Sequence, residues 1–204
     1  MKTTLLALAF TVAILPCEAG IILDDSSRMD FQSVRGVGNS PLAAITVSAP
    51  TSINQIGAMV DLDSDGDLKF LIFDLDSSSL LLATGPQAFV DDGLTFKLSS
   101  AFSPFTLNPG ITYGIGAIAD VSGEWGTNNS SSGNPFTQGN ITVSDDRNGN
   151  VSNFATPALG AEGTAMIILE LGSGAASAVP EPATFGVLGA GLGVLALIAR
   201  RKRA

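Results

Sequence analysis

Short runs of Val, Ile, Thr and Phe, separated by clusters of Gly, Pro, Asn, Asp and Ser, restrict the fold of this chain more than any other feature. Such runs are typical of β-strands joined by turns. No part of residues 20–179 shows a helical period with caps. The spacing predicts an all-β fold, an antiparallel β-sandwich or jelly-roll-like domain. The predicted strands are Ala43–Ser48, Ile53–Leu62, Leu68–Asp74, Leu80–Ala88, Leu94–Ser99, Phe105–Leu107, Thr112–Ala119, Gly139–Ser144 and Ala165–Leu171.

Two of these runs predict more than a strand. The segment Lys69–Phe73 is apolar on both faces, so we expect a strand in the middle of a sheet whose two sides are covered. The segment Thr112–Ala119 alternates bulky residues with Gly and Ala. Its glycines indicate that a neighbouring backbone or side chain approaches closely.

The composition excludes several functional classes. Histidine is absent from all 204 residues, which excludes Ser-His-Asp and Cys-His catalytic machinery and every zinc site that needs an imidazole. The net charge of −9 argues against a nucleic-acid partner, because that affinity comes largely from Lys and Arg neutralising phosphates.

The first 19 residues have the parts of a secretory signal peptide. Met1-Lys2 supplies the charge, Leu5–Leu15 the apolar run, and Pro16–Gly20 the small-residue exit. The apolar run is too short to span about 30 Å of hydrocarbon, so we expect cleavage after Ala19 rather than a retained anchor. Cleavage there would remove Cys17, the single cysteine. A lipoprotein at Cys17 is the weaker alternative, because a proline precedes the cysteine where such signals require a small residue.

The C-terminus combines an uncharged segment with a basic cluster. Residues 183–199 carry no charge, and as a helix they would extend about 25 Å, enough for a short transmembrane span. The cations that follow predict a cytoplasmic tail by the positive-inside rule, which places the body of the protein on the other side of the membrane. This cluster is Arg200, Arg201, Lys202 and Arg203.

The order of these C-terminal elements resembles the PEP-CTERM sorting signal of bacterial exported proteins. The resemblance rests on the glycine-rich apolar segment, the terminal basic cluster, and the four residues Val179, Pro180, Glu181 and Pro182. It covers residues 179–204. It implies that an exosortase, a membrane-embedded cysteine protease-transpeptidase, recognises the Pro-Glu-Pro sequence and cuts near it. The exported part would then reach the cell surface or an exopolysaccharide matrix.

Between the two ends lies one acidic domain. Residues 20–179 contain five Lys and Arg against 17 Asp and Glu, a net charge of −12. We expect the β domain to occupy residues 20–171, which is long enough to bury a substantial core. Residues 172–179 are Gly, Ala and Ser with one Val, too small to form a core, and they predict a flexible linker between the domain and the membrane.

The segment Asp61–Leu68 resembles the first half of a calcium loop. Asp61, Asp63, Asp65 and Asp67 place oxygen ligands at alternate positions, and Gly66 supplies the sharp turn. The twelfth position, however, is Ile72 rather than the glutamate that binds calcium through both oxygens. The alternative is a hydrated hairpin turn around Asp65-Gly66 without a metal.

Other candidates for chemistry are weaker. Trp125 lies in a polar segment where its ring could bind a sugar, or could instead fold over the edge of the domain. Pairs such as Asp74/Asp76 and Asp91/Asp92 could serve a glycosidase at the right separation, but capping of turns explains them more simply. We therefore expect no enzymatic activity.

The sequence as a whole predicts an exported, non-enzymatic cell-surface or matrix protein. The alternative is a module that binds a polysaccharide or another surface ligand and that calcium stabilises. The expected partners are an exosortase, the membrane through the C-terminal helix, and an exopolysaccharide.

Overall fold

The computed structural model describes residues 20–129, 135–144, 149–162 and 166–173. These residues form 19 strands, numbered β1 to β19 in chain order, and a single 3-10 turn at Ser26–Arg28. Each strand pair in the described ranges is antiparallel, which confirms the predicted all-β antiparallel class. The predicted signal peptide and the predicted C-terminal helix lie outside the described residues.

The first seven-stranded sheet contains both ends of the described chain. Its main path runs β1-β19-β6-β13-β18, while β10 pairs with β6 and β2 pairs with β13. Its strands are β1 (Gly20–Asp24), β2 (Phe31–Arg35), β6 (Gln55–Leu62), β10 (Thr95–Leu98), β13 (Gly123–Asn128), β18 (Met166–Ile167) and β19 (Leu169–Ser173).

The second seven-stranded sheet has the order β14-β15-β4-β12-β7-β8, and β9 also pairs with β7. Its strands are β4 (Ala43–Val47), β7 (Gly66–Asp74), β8 (Ser79–Ala83), β9 (Gln87–Phe89), β12 (Tyr113–Ala119), β14 (Phe136–Gln138) and β15 (Ile141–Ser144).

Two smaller sheets complete the described architecture. A three-stranded sheet joins β17 (Ala158–Glu162), β16 (Gly149–Ser152) and β3 (Asn39–Pro41). A two-stranded sheet joins β11 (Phe105–Leu107) and β5 (Thr51–Ile53).

The two large sheets share one hydrophobic core. Alternate residues of β6, among them Ile56 and Val60, pack in the same cluster as alternate residues of β7 and β12, among them Phe70 and Ile115. Side chains alternate between the faces of a strand, so each large sheet gives one face to this core. The sheets therefore form two packed layers.

A second core covers the other face of β7. Leu71 and Phe73 pack there with Leu42, Ile118 and Val151, while Leu68, Phe70 and Ile72 of the same strand face the main core. Leu42 and Val151 belong to the segments around the three-stranded sheet. The prediction that the Lys69–Phe73 segment is covered on both sides is confirmed.

The glycines of β12 lie where neighbours come close. A Cβ atom on Gly114 would be 2.6 Å from Leu75 Cδ2, and one on Gly116 would be 2.8 Å from Leu42 Cδ2. Both contacts are too short for a real side chain, so the predicted close approach is confirmed at these two positions.

Several strand boundaries differ from the prediction. The predicted strand Leu80–Ala88 is two strands, β8 and β9, because Pro86 between them has no N–H for a sheet hydrogen bond. The predicted strand Ala165–Leu171 is interrupted at Ile168, whose N–H donates instead to Gly126 O at 2.9 Å. β19 continues through Gly172 and Ser173, two residues that were assigned to the linker.

Candidate functional site

The predicted calcium residues lie at one end of the two-layer body, where β6 passes into β7. Asp61 is near the end of β6 and Asp67 is near the start of β7, and both are half-buried. Asp63 and Asp65 are exposed in the turn between the two strands.

Hydrogen bonds join this turn to two other segments. Asp91 N–H donates to Asp65 Oδ1 at 2.9 Å, and Asp67 N–H donates to Asp120 Oδ1 at 2.7 Å. Ser122 Oγ donates to the Asp63 carboxylate, and Asp63 N–H donates to Ser122 O at 3.0 Å. The segments around residues 63–67, 91 and 120–122 therefore meet at a single end.

Acidic residues collect there more densely than the sequence indicates. Glu124 is the cross-strand neighbour of Asp61, and Asp92 follows Asp91. The acidic end is defined here as Asp61, Asp63, Asp65, Asp67, Asp91, Asp92, Asp120 and Glu124. The sequence singled out only the first four of these as a possible metal site and named Asp91/Asp92 as a separate pair, because these segments are distant along the chain and only folding brings them together.

Lys97 neutralises part of this charge. Its ammonium group contacts the Asp92 carboxylate and donates to Val90 O at 3.2 Å, although the side chain is only 4% exposed. The hydrogen bond from Lys97 holds the pKa of Asp92 below its usual range. Arg35, the cross-strand neighbour of Gly123, adds a second cation at this end, and the eight carboxylates still leave it negative.

A shallow cavity of 290 Å³ opens beside the turn. Asp65, Gly66 and Asp67 form one wall, and Ala88, Phe89 and Val90 form the other. Acidic and apolar residues therefore line the same small volume.

The calcium interpretation of Asp61, Asp63, Asp65 and Asp67 stays a prediction. Within the ranges that the structure describes, no three Asp, Glu, His or Cys side chains are grouped so that they could hold a metal ion. The Asp63 and Asp65 carboxylates accept hydrogen bonds from neighbouring segments. The alternative of a hairpin turn around Asp65-Gly66 is wrong, because β6 and β7 belong to different sheets and do not pair with each other. The segment is instead a turn that passes from the first large sheet to the second and is held by these hydrogen bonds.

Of the two positions considered for the Trp125 ring, the structure excludes the exposed one in a polar loop. Trp125 lies in β13, only 1% exposed, and its ring belongs to the main core. β13 pairs with β2 on one side and with β6 on the other, so its polar residues are part of a sheet. A buried ring offers no face on which a sugar could stack.

Asp74 has a turn-capping role. Its Oδ1 accepts the N–H of Asp76 at 2.8 Å and the N–H of Ser77 at 3.2 Å. Hydrogen bonding with Ser77 holds the pKa of Asp74 below its usual range. These contacts account for the Asp74/Asp76 pair as a capped turn.

Sequence reasoning missed a buried carboxylate, Asp25, which follows β1 and contacts the start of β19. Asp25 is 1% exposed, and its Oδ1 accepts the N–H of Leu169 at 2.6 Å. Arg28 Nη1 lies 3.6 Å from Asp25 Oδ2, and the Arg28 carbonyl accepts a hydrogen bond from Asn128 Nδ2 at 2.6 Å. Burial raises the pKa of Asp25 to about 7, against the opposite effects of the Leu169 N–H and Arg28. No local sequence pattern distinguishes this aspartate from those in turns.

The last described strand leads directly toward the predicted sorting signal. A family model described as the PEP-CTERM protein-sorting motif matches residues 178–203. The tail is a PEP-CTERM sorting motif. The match contains Val179, Pro180, Glu181 and Pro182 and the basic cluster, so the resemblance stated from the sequence is confirmed. Comparison with curated proteins gives no match for this chain.

The sorting motif implies a protein that is exported and sorted by an exosortase. The motif residues themselves, with the predicted segment 183–199 and the basic cluster, lie outside the described residues. Among the residues that the structure does describe, no helix is long and apolar enough to cross a membrane.

Proposed function

We propose that this chain is a non-enzymatic protein of the cell surface or extracellular matrix, delivered by its PEP-CTERM motif. The observation that carries the proposal is the position of the motif. It begins at residue 178, only a few residues after β19 ends at Ser173. The acidic two-layer body is then the part that is exported, and residues 178–203 are the part that an exosortase recognises and cuts near.

The tail chemistry supports this division. The fixed order Pro180-Glu181-Pro182, inside the matched motif, gives an exosortase a short sequence to recognise. The uncharged residues 183–199 would hold the chain in the bilayer, and Arg200–Arg203 would remain in the cytoplasm.

The non-enzymatic part of the proposal is supported by how the described carboxylates are used. Asp74 caps a turn, Asp63, Asp65 and Asp120 join segments, and Asp25 binds a strand amide. A chain without histidine would need a carboxylate pair or a similar device for hydrolysis. The carboxylates of the acidic end instead suit solubility and attraction of cations in an extracellular polymer.

The test is replacement of Pro180, Glu181 and Pro182 by alanine, with Pro86→Ala as the matched control. Pro86 is exposed between β8 and β9 and lies outside the motif. Cell fractions and intact masses of all three chains are compared in a host that has the exosortase. We expect wild type and the control to give a shortened extracellular form, while the triple variant stays full-length in the membrane. Normal processing of the triple variant would refute the proposal.

A binding module for polysaccharide is the second candidate, and the shallow cavity favours it. Sugars present hydroxyls and apolar C–H faces together, and the residues that line the cavity include both acidic ones, Asp65 and Asp67, and apolar ones, Phe89 and Val90. Val90 is 59% exposed, so Val90→Ser reduces the apolar wall at little cost to folding. Asp67→Asn removes the charge. Retention of wild type on a polysaccharide column, and its loss in both variants, is the expected result for this candidate.

A further inference from the structure

The first and last residues of the described body lie at the same end of the first sheet. Gly20, the first residue after the predicted signal-peptide cleavage, is the cross-strand partner of Ser173, the last residue of β19. Gly172 pairs with Gln55 at the start of β6, and Asn54 N–H donates to Gly172 O at 3.0 Å. We call this the exit end, defined by Gly20, Ser173, Asn54 and Gln55.

The acidic end is the opposite end of the same strand. β6 begins at Gln55 beside Gly172 and finishes at Leu62 beside Gly123. The rise of about 3.3 Å per residue separates these positions by about 23 Å.

The segments at the exit end carry little charge. Residues 48–54, which lead into β6, contain no charged side chain, and neither do residues 99–112 or 138–140. Phe102 N–H donates to Asn54 O at 2.9 Å, and β11 pairs with β5, which places the second segment beside the first. The exceptions are Asp74 and Asp76 in the turn after β7, and Asp24, whose N–H donates to Gln138 Oε1 at 3.0 Å and which has Glu170 as its cross-strand neighbour.

We propose that the exit end faces the lipid surface while the sorting motif holds the protein at the membrane, and that the acidic end points away from it. The proposal rests on the proposed function, because it needs the C-terminal segment to be anchored. The interaction surface is then the set of uncharged segments 48–54 and 99–112, and its partner is a phospholipid headgroup layer.

Covalent geometry limits the distance between the exit end and the bilayer. Nine residues separate Ser173 from the predicted span at 183–199, and a fully extended chain of that length reaches about 30 Å. Signal-peptide residues before Gly20 would leave from the same end, so the orientation is the same before and after that cleavage.

Electrostatics selects the same orientation. In the reverse orientation, eight carboxylates, offset only by Lys97 and Arg35, would lie against phospholipid phosphates, within the Debye length of about 8 Å at physiological salt. With the exit end toward the lipid, the acidic end is about 23 Å farther away along β6, and salt screens most of the repulsion. The uncharged segments can approach the headgroups without this penalty.

The experiment measures the depth of two labelled positions on the full chain in liposomes. Cys17 is changed to Ser, so that one new cysteine is the single thiol. Ser103→Cys places a fluorophore at the exit end and Ser64→Cys places one at the acidic end; both serines are exposed. The vesicles contain anionic phospholipid and a lipid with a nitroxide on its headgroup. Flotation of the vesicles reports whether the chain is anchored.

We expect the Ser103 label to lose most of its fluorescence in these vesicles and the Ser64 label to lose little. Both labels should be quenched equally by a soluble quencher when no vesicles are present. Anchored protein with equal quenching, or with stronger quenching at Ser64, would overturn the orientation and leave the proposed function standing. A chain that does not float with the vesicles would refute the anchor, and with it both proposals.

Discussion

The Asp25 carboxylate accepts the backbone N–H of Leu169 at 2.6 Å, and Asp25 N–H donates back to Leu169 O at 3.2 Å. This reciprocal contact fastens the segment after β1 to the start of β19. Burial raises the pKa of Asp25 from its usual 3.8 to about 7. A folded-state pKa above the unfolded value means that the folded protein takes up a proton that the unfolded chain does not hold.

The first prediction is that stability falls as the pH rises from about 4 to 7. In that window the free energy of unfolding decreases by up to about 1.4 kcal/mol per pH unit for one proton. Asp25→Asn keeps an oxygen for the Leu169 N–H and removes the titration, so its urea-unfolding free energy should change less with pH. Burial and the nearby Asp24 also raise the pKa of Glu170, so a smaller slope of the same sign remains.

Asp74→Asn is the control for this pH dependence. The pKa of Asp74 lies below its usual range, so its titration affects stability only at pH values below about 4. The slope between pH 4 and 7 should match that of wild type. An Asp25→Asn slope equal to that of wild type would show that Asp25 does not titrate in this window.

The second prediction concerns the close packing at β12. A Cβ atom on Gly116 would be 2.8 Å from Leu42 Cδ2 and 3.2 Å from Pro41 O. Gly116→Ala should therefore lower the free energy of unfolding by about 1–3 kcal/mol through overpacking. Gly85→Ala is the matched control, because nothing lies within 4 Å of its Cβ position. Equal stability of the two variants in urea unfolding would contradict the packing.

The sequence predicted strands well where hydrophobic burial decides them. β7 and β12 are apolar on both faces, and both form within a residue or two of their predicted bounds. β13, Gly123–Asn128, was missed because its composition is that of a loop. Its polar atoms find partners only in the folded protein; Asn128 Nδ2, for example, donates to Arg28 O at 2.6 Å. The residue pattern of one segment does not show which distant groups will form hydrogen bonds with it, so this strand could not be predicted.

In the candidate site, too, the sequence shows what is local along the chain and does not show what folding brings together. The alternating carboxylates from Asp61 to Asp67 are visible in the sequence because they are neighbours along the chain. Asp91 and Asp120 reach the same end through hydrogen bonds to Asp65 and Asp67, across 26 and 53 residues of chain. The sorting motif is defined by neighbouring residues along the chain, and the sequence was therefore sufficient to find it.

The third prediction uses the single tryptophan as a reporter of the core. Trp125 is 1% exposed, so its emission in the native protein should lie at short wavelength and shift to the red on unfolding. Trp125→Ala should cost about 3–5 kcal/mol of stability, and Trp125→Phe clearly less. Polysaccharide should leave the native emission unchanged. Long-wavelength emission before unfolding, or quenching by polysaccharide, would contradict the burial of the ring.

The fourth prediction tests calcium at the acidic end. If Asp63 and Asp65 bind the ion, millimolar calcium raises Tm and EDTA reverses the rise, because a ligand that binds only the folded state stabilises it. The double variant Asp63→Asn/Asp65→Asn should lose this response. Asp74→Asn/Asp76→Asn is the matched control: it removes the same charge from the opposite end and should respond as wild type does. An equal loss in both double variants would indicate general screening of the net charge. A Tm that neither calcium nor EDTA changes would mean that the turn between β6 and β7 is held by its hydrogen bonds without calcium.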